Sequence, residues 1–371
     1  MYDNGDGVEL DEKKCVELLK EAADLGYLDA IYILAEQYSR GYQVEKNIEK
    51  AHELYKKGAE LGHADSQYEY YLITGDERWL EKSVANGCDR AKYKYSEILF
   101  SKRRYHTAII HLRDLAIDGD KDAQYLLAKC YEANREYEDR IKWLERAAES
   151  NHVLACYEIA EIYNNSYNFR SNKEKAIIYY KKAASLDNEL ALFKVGCHLE
   201  KTEGKEKSLS FLSYFQRILE IENKVYGRQA ASKLAYYYYN GIGIEKNYDK
   251  AFEYLLAAVE NIDKNQHLNS SDEIENSFLL AECYYNGYGT KVDYNEAFKY
   301  YSKACISRDP RALTQIGDCY YEGHGTTKNL SESFYYFEQA ALQDYGLAQY
   351  FLGCSYYFGD GVKKNLKKAF Y

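Results

Sequence analysis

Apolar and small residues recur along this chain with the period of a helix face. The blocks Leu34-Ala35-x-x-Tyr38, Leu127-Ala128-x-x-Tyr131, Ile159-Ala160-x-x-Tyr163, Leu234-Ala235-x-x-Tyr238, Leu280-Ala281-x-x-Tyr284, Ile316-Gly317-x-x-Tyr320 and Leu352-Gly353-x-x-Tyr356 share one pattern. An Ala five residues before the small residue, as at Ala30, Ala123, Ala155, Ala230, Ala312 and Ala348, extends it to an i, i+4, i+8 ladder, which is one stripe of a helix. Fainter copies at Glu69, Ser96 and Gly196 complete a series of ten, and its commonest step, Ala281 to Gly317 to Gly353, is 36 residues. Self-similarity at such a period predicts stacked supersecondary units.

A second helix follows in fixed register, as in Ala51…Tyr55…Gly58-Ala59, Ala176…Tyr180…Ala183-Ala184, Ala297…Tyr301…Ala304-Cys305 and Ser333…Phe337…Ala340-Ala341. Four residues before each opening stands an N-cap candidate, namely Asn47, Asn172, Asn247, Asp293, Asn329 and Asn365, able to accept from the free amides of the first turn. Between the two helices lie Gly241-Ile242-Gly243, Gly287-Tyr288-Gly289, Gly323-His324-Gly325 and Gly359-Asp360-Gly361. A dinucleotide fingerprint follows a strand and occurs once, whereas these follow a helix and recur. They predict a left-handed helix end and a tight turn that returns the chain antiparallel.

The expected fold is all-α, a right-handed α-solenoid of about ten antiparallel helix pairs spanning 1–371. Residues 1–29 read as a partial repeat with only its second helix, near 12–25. Residues 30–229 hold repeats one to six, degenerate over 64–225, and 230–371 hold four regular repeats, the last cut short. Both ends read as truncated.

Composition agrees with this reading. The 371 residues include 43 Tyr, 23 Gly, one Pro and one Met, with 46% apolar and 29% charged positions, so the chain should fold, and mostly as helix. A net charge of −10 opposes nucleic acid and anionic membranes. The start, Met1-Tyr2-Asp3-Asn4-Gly5-Asp6, has no leader pattern, and no run of about 18 apolar residues occurs. A cytoplasmic protein without membrane insertion is expected.

The Leu-Ala/Gly-x-x-Tyr block, the Gly-x-Gly turn, the Lys-Ala opening of the second helix (Lys50-Ala51, Lys175-Ala176, Lys250-Ala251, Lys368-Ala369) and its Ala-Ala ending closely resemble the Sel-one-like repeat. This family is a longer, Gly-turned relative of tetratricopeptide repeats. The resemblance covers essentially the whole chain and is most specific in 28–62 and 230–371. Between about 91 and 155 the spacing falls to 32, the turn glycines are lost around Lys201–Lys207, and Asn261–Glu275 reads as an insert forming a surface loop, a helix extension or a hinge. The resemblance implies a non-enzymatic scaffold or adaptor for protein–protein interaction, with signalling among the roles of such repeats. The alternatives are a secreted or surface-exposed effector in host contacts, and the regulatory arm of a larger protein.

Candidate chemistry is sparse. The nine cysteines form no Cys-x-x-Cys pair, and the eight histidines form no His-Glu-x-x-His. A secreted branch of the family carries one cystine per repeat, but Leu313 stands where the partner of Cys305 would be, and Ala148 where that of Cys156 would be. Reduced thiols used in packing are expected, with no catalytic, metal or cofactor site. By analogy with tetratricopeptide solenoids, the third, seventh and tenth positions of the first helix face a concave groove. The third holds Tyr32, Tyr93, Tyr125, Tyr157, Phe193, Phe278 and Tyr350, the seventh Glu36, Glu97, Glu161, Glu282 and Asp318, and the tenth Tyr239, Tyr285, Tyr321 and Tyr357. The third-position aromatics read either as packing between helices or as groove surface. The groove expected to bind a partner comprises Tyr239, Tyr285, Tyr321, Tyr357, Glu282, Asp318, Phe278 and Tyr350. Its acidic row favours a basic or amphipathic protein or peptide segment.

Overall fold

A computed structural model describes residues 12–165, 172–202, 210–222, 224–259 and 270–369. Among them every regular element is a helix, and successive helices pair antiparallel as the repeat predicts. The chain gathers into two compact units, Met1–Arg170 and Ser171–Tyr371.

In the first unit the leading helix runs Glu12–Asp24, followed by the pair Leu28–Arg40 and Ile48–Glu60. Asn47 behaves as its position predicts, accepting from Lys50 N at 2.9 Å. Asn172, Asn247, Asp293, Asn329 and Asn365 do the same for the amides two or three residues on. The stripe of Ala30, Ile31, Leu34 and Ala35 is buried. Around 91–155 the turns shorten, and Arg103 and Arg135 take the left-handed conformation at φ 58° and 63° that glycine takes elsewhere. The Lys102-Arg103-Arg104 run is an exposed turn.

Two histidine caps in this unit were not foreseen. His63 Nδ1 accepts from Ser66 N at 3.1 Å, and His152 Nδ1 accepts from Ala155 N at 3.1 Å. The His152 ring stacks on Tyr125 at 4.2 Å, and its Nε2 lies 3.5 Å from Asp122 Oδ1. Burial pushes the His152 pKa below 6.5, helped by Lys121 and opposed by Asp122 and Glu158; burial and Lys92 do the same to His111. Both side chains therefore bind protons more weakly folded than unfolded, so the stability they contribute is full above about pH 6.5 and is lost as pH falls toward their folded values. The first unit should unfold at lower urea at pH 5.5 than at 7.5. In His152→Asn, which keeps a cap acceptor, that difference should shrink; an unchanged difference would exclude His152 as its source.

The second unit contains the regular repeats. Its helices are Gly227–Asn240, Tyr248–Val259, Ser270–Asn286, Tyr294–Ala304, Pro310–Glu322, Leu330–Ala341 and Gly346–Phe358. The sole Pro stands at the first turn of Pro310–Glu322, where its missing N–H has no intrahelical acceptor. Of the insert, Ser270–Glu275 lengthens a helix of 17 residues, whereas 261–269 lie outside the described residues, as do 203–207 of the degenerate turn.

None of the nine cysteines is joined in a disulfide. Cys130, Cys283 and Cys319 are buried, and burial pushes each thiol up to about 12. They stay protonated and act as small apolar packing groups.

The Gly-x-Gly turns end helices as expected, with Gly241, Gly287, Gly323 and Gly359 at φ 68° to 87°. They also join repeats, which the sequence did not show. A Cβ on Gly289, Gly325 or Gly361 would lie 2.3, 2.0 or 2.0 Å from the carbonyl oxygen of Tyr248, Tyr294 or Leu330. Each second glycine thus lets its turn touch the backbone that opens the preceding repeat's second helix. The residue between the glycines completes the joint: Tyr288 stacks on Tyr248 at 4.2 Å, and His324 on Tyr294 at 4.0 Å and 2°.

Candidate functional site

The expected groove positions lie on the first helices of the second unit, and the structure divides them by what each touches. Tyr239 is half-buried, edge-on to Tyr248 at 5.5 Å and to Tyr288 at 6.3 Å, and burial raises its hydroxyl pKa. Tyr285 donates to Asp318 Oδ2 at 2.7 Å and sits 3.0 Å from His324 Nδ1. Burial and this carboxylate hold its hydroxyl protonated. Both tyrosines are wedged at the joints between repeats.

Glu282 is engaged in the same way. Its Oε1 accepts from Tyr301 Oη and, at 3.1 Å, from Gln315 Nε2. Glu36 and Glu97 of the same row pair with Arg40 and Lys94 at 2.8 and 3.0 Å. The row is acidic in sequence, but much of its charge is satisfied locally.

The third position splits between its two readings. Phe278 is 9% exposed, packed against Tyr301 with the Arg311 guanidinium 4.6 Å over its ring, whereas Tyr350 is 65% exposed. At the tenth position, Tyr321 is half-buried and donates to Asp360 Oδ2 at 3.2 Å, with Lys328 Nζ 5.1 Å over its ring. Tyr357 is 43% exposed, with Lys364 Nζ 5.4 Å over its ring.

Three of the eight expected residues, Asp318, Tyr321 and Tyr350, line one cleft of about 190 Å³ between the helices Pro310–Glu322, Leu330–Ala341 and Gly346–Phe358. Phe337 and Phe351 stack at 4.9 Å and 17° within it, Phe358 adds another aromatic wall, and Glu322 and Asp360 add carboxylates. The sequence reading missed Glu322, Phe351, Phe358 and Asp360. Asp360 had a signal, since it is the middle residue of a Gly-x-Gly turn. Phe351 had another: it stands 36 residues after Gln315, so the repeat changes chemistry there. Among the described residues no group of His, Cys, Asp or Glu converges to hold a metal ion, and no helix is long and apolar enough to cross a membrane.

The Sel1 repeat family model matches residues 1–27, 28–63, 121–133, 141–152, 153–188, 228–263, 277–307, 310–345 and 346–371, more than half of the chain. Residues 64–120, inside the stretch expected to be degenerate, are not matched. No curated protein matches the chain. Among solved structures, a protective antigen of uropathogenic Escherichia coli strains with an SLR fold is 22% identical, with TM-score 0.62 over 99% of this chain and 80% of that one. A Sel1 repeat protein from Oxalobacter formigenes is 18% identical over 91% of this chain and 89% of its own, with TM-score 0.43. The first likeness shows the fold.

Proposed function

This chain belongs to the Sel1 repeat family, and we propose on that basis that it is a non-enzymatic scaffold that holds other proteins on the groove face of its second unit. The observation that carries the reading is the cleft beside Asp318, Tyr321 and Tyr350, where aromatic surface and carboxylates stand together. Aromatic residues with polar rims are the chemistry of protein recognition. Tyr357 extends the surface along the same helix. Tyr239, Tyr285 and Glu282 belong instead to the joints between earlier repeats. The likeness to a protective antigen rests on 22% identity and brings no role with it.

A photo-crosslinking residue placed at Tyr350 tests the face. Another at Tyr335, which is 51% exposed on the second helix Leu330–Ala341, serves as the control. Adducts with cellular proteins should form from position 350 and be weak from 335. Equal yields, or adducts from 335 alone, would refute the groove face as the binding surface.

A further inference from the structure

The two successive repeats that meet at this cleft are built on one plan, and the differences between them show what the cleft takes. One repeat earlier, Glu282 occupies the place of Asp318, Tyr301 that of Phe337, and Gln315 that of Phe351, each 36 residues before. There the carboxylate of Glu282 is satisfied by Tyr301 Oη and Gln315 Nε2. In the cleft both donors are replaced by phenylalanine. Asp318 keeps only the Tyr285 hydroxyl, on Oδ2, and its Oδ1 has no protein donor among the described residues.

Charge changes in the same direction. Asn286 becomes Glu322 and His324 becomes Asp360, so an amide and an imidazole of the earlier repeat give way to two carboxylates. Glu322 is exposed, and Asp360 accepts one hydrogen bond, from Tyr321. Size changes as well: the buried Thr314 is replaced by the exposed Tyr350. Where the earlier repeat bonds its carboxylate internally, this one has a cleft with an aromatic floor, three carboxylates and no cationic side chain in its lining.

We infer that this cleft binds an arginine side chain presented by a segment of a partner protein. The inference rests on the proposed function and names the group that face selects. A guanidinium is planar, stacks on aromatic rings and donates in several directions at once. Those properties answer stacked Phe337 and Phe351 and carboxylates spread around them. The carboxylates do not converge as a metal ion requires. A lysine ammonium, a strongly hydrated point charge, answers the aromatic floor less well. Lys328 lies over the Tyr321 ring and Lys364 over the Tyr357 ring, and neither is in the lining, so the charge of the cleft is not cancelled from within.

The test uses the full chain and three small probes, N-acetyl-arginine amide, N-acetyl-lysine amide and N-acetyl-citrulline amide, followed by saturation-transfer NMR. The arginine probe should bind at millimolar concentration, the lysine probe several-fold more weakly, and the neutral citrulline isostere not measurably. Glu322→Gln together with Asp360→Asn, which keeps an acceptor for Tyr321, should weaken the arginine probe at least tenfold. Phe351→Gln should abolish its binding by restoring the amide that satisfies the equivalent carboxylate one repeat earlier. Equal signals from arginine and citrulline, or full binding by the carboxylate double variant, would overturn the inference. The crosslinking experiment fails or succeeds separately. Adducts at position 350 without arginine binding would refute the arginine site and leave the scaffold reading, whereas arginine binding with no adducts would refute the scaffold reading.

Discussion

Replacing Gly325 by Ala should destabilise the second unit by about 4 kcal/mol or more, whereas Gly323→Ala, two residues away, should cost about 1 kcal/mol. Both glycines have positive φ, at 68° and 83°, so both substitutions carry the left-handed penalty of an L side chain. The difference lies in space. A Cβ on Gly323 meets nothing nearer than 3.4 Å, but one on Gly325 falls 2.0 Å from the Tyr294 carbonyl oxygen and 2.8 Å from Phe298 Cβ. Because the obstacle is backbone that opens a helix, it cannot rotate aside. Either the turn lifts, pulling His324 from its stack on Tyr294 and from Tyr285, or that helix shifts. In a unit of this size each kcal/mol lowers the melting temperature by about 2–4 °C, so a fall of roughly 10 °C is expected for Gly325→Ala. Thermal unfolding followed by circular dichroism checks it. Equal shifts for the two variants would show that the turns merely reverse the chain.

Phe337→Ala should cost about 3–5 kcal/mol, because it removes a large buried ring. Phe337 is 1% exposed, stacks on Phe351 and faces Gly317, where an added Cβ would lie 2.7 Å from the ring. The small residue of the first helix and the aromatic residue of the second are therefore one fitted pair. Gly317→Ala alone should cost about 1–3 kcal/mol through overpacking. In a Phe337→Leu background, with no ring to collide with, Gly317→Ala should cost less. Urea titrations of the four proteins measure this coupling. Strict additivity would mean that the two positions do not meet as described. Since Phe337 also floors the cleft, its loss should remove ligand binding together with stability, which is why the binding test uses the carboxylates Glu322 and Asp360.

These two sites show what kind of information sequence carries. Gly317 and Phe337 were each recognisable from their register, but their contact follows from packing one helix on the next. Gly325 was read correctly as the end of a tight turn. Its second role depends on Tyr294, 31 positions earlier, which no local pattern connects to it. The groove residues behave likewise. Tyr285 and Tyr357 are indistinguishable by position, yet one bonds to Asp318 and His324 while the other is 43% exposed.

What sequence alone determined was the set of local features: the helices, their N-caps, the left-handed glycine ends, the use of cysteine as a packing residue, and membership in a repeat family. These depend on interactions within four residues or on periodic burial, so they are written in adjacent letters. What only the tertiary structure decided was which copies of a repeated position are satisfied and which are open. Glu282 and Asp318 share a register, but Glu282 meets a tyrosine and a glutamine while Asp318 faces two phenylalanines. That contrast comes from side chains 19 to 33 positions away, which only the stacking of repeats brings into contact.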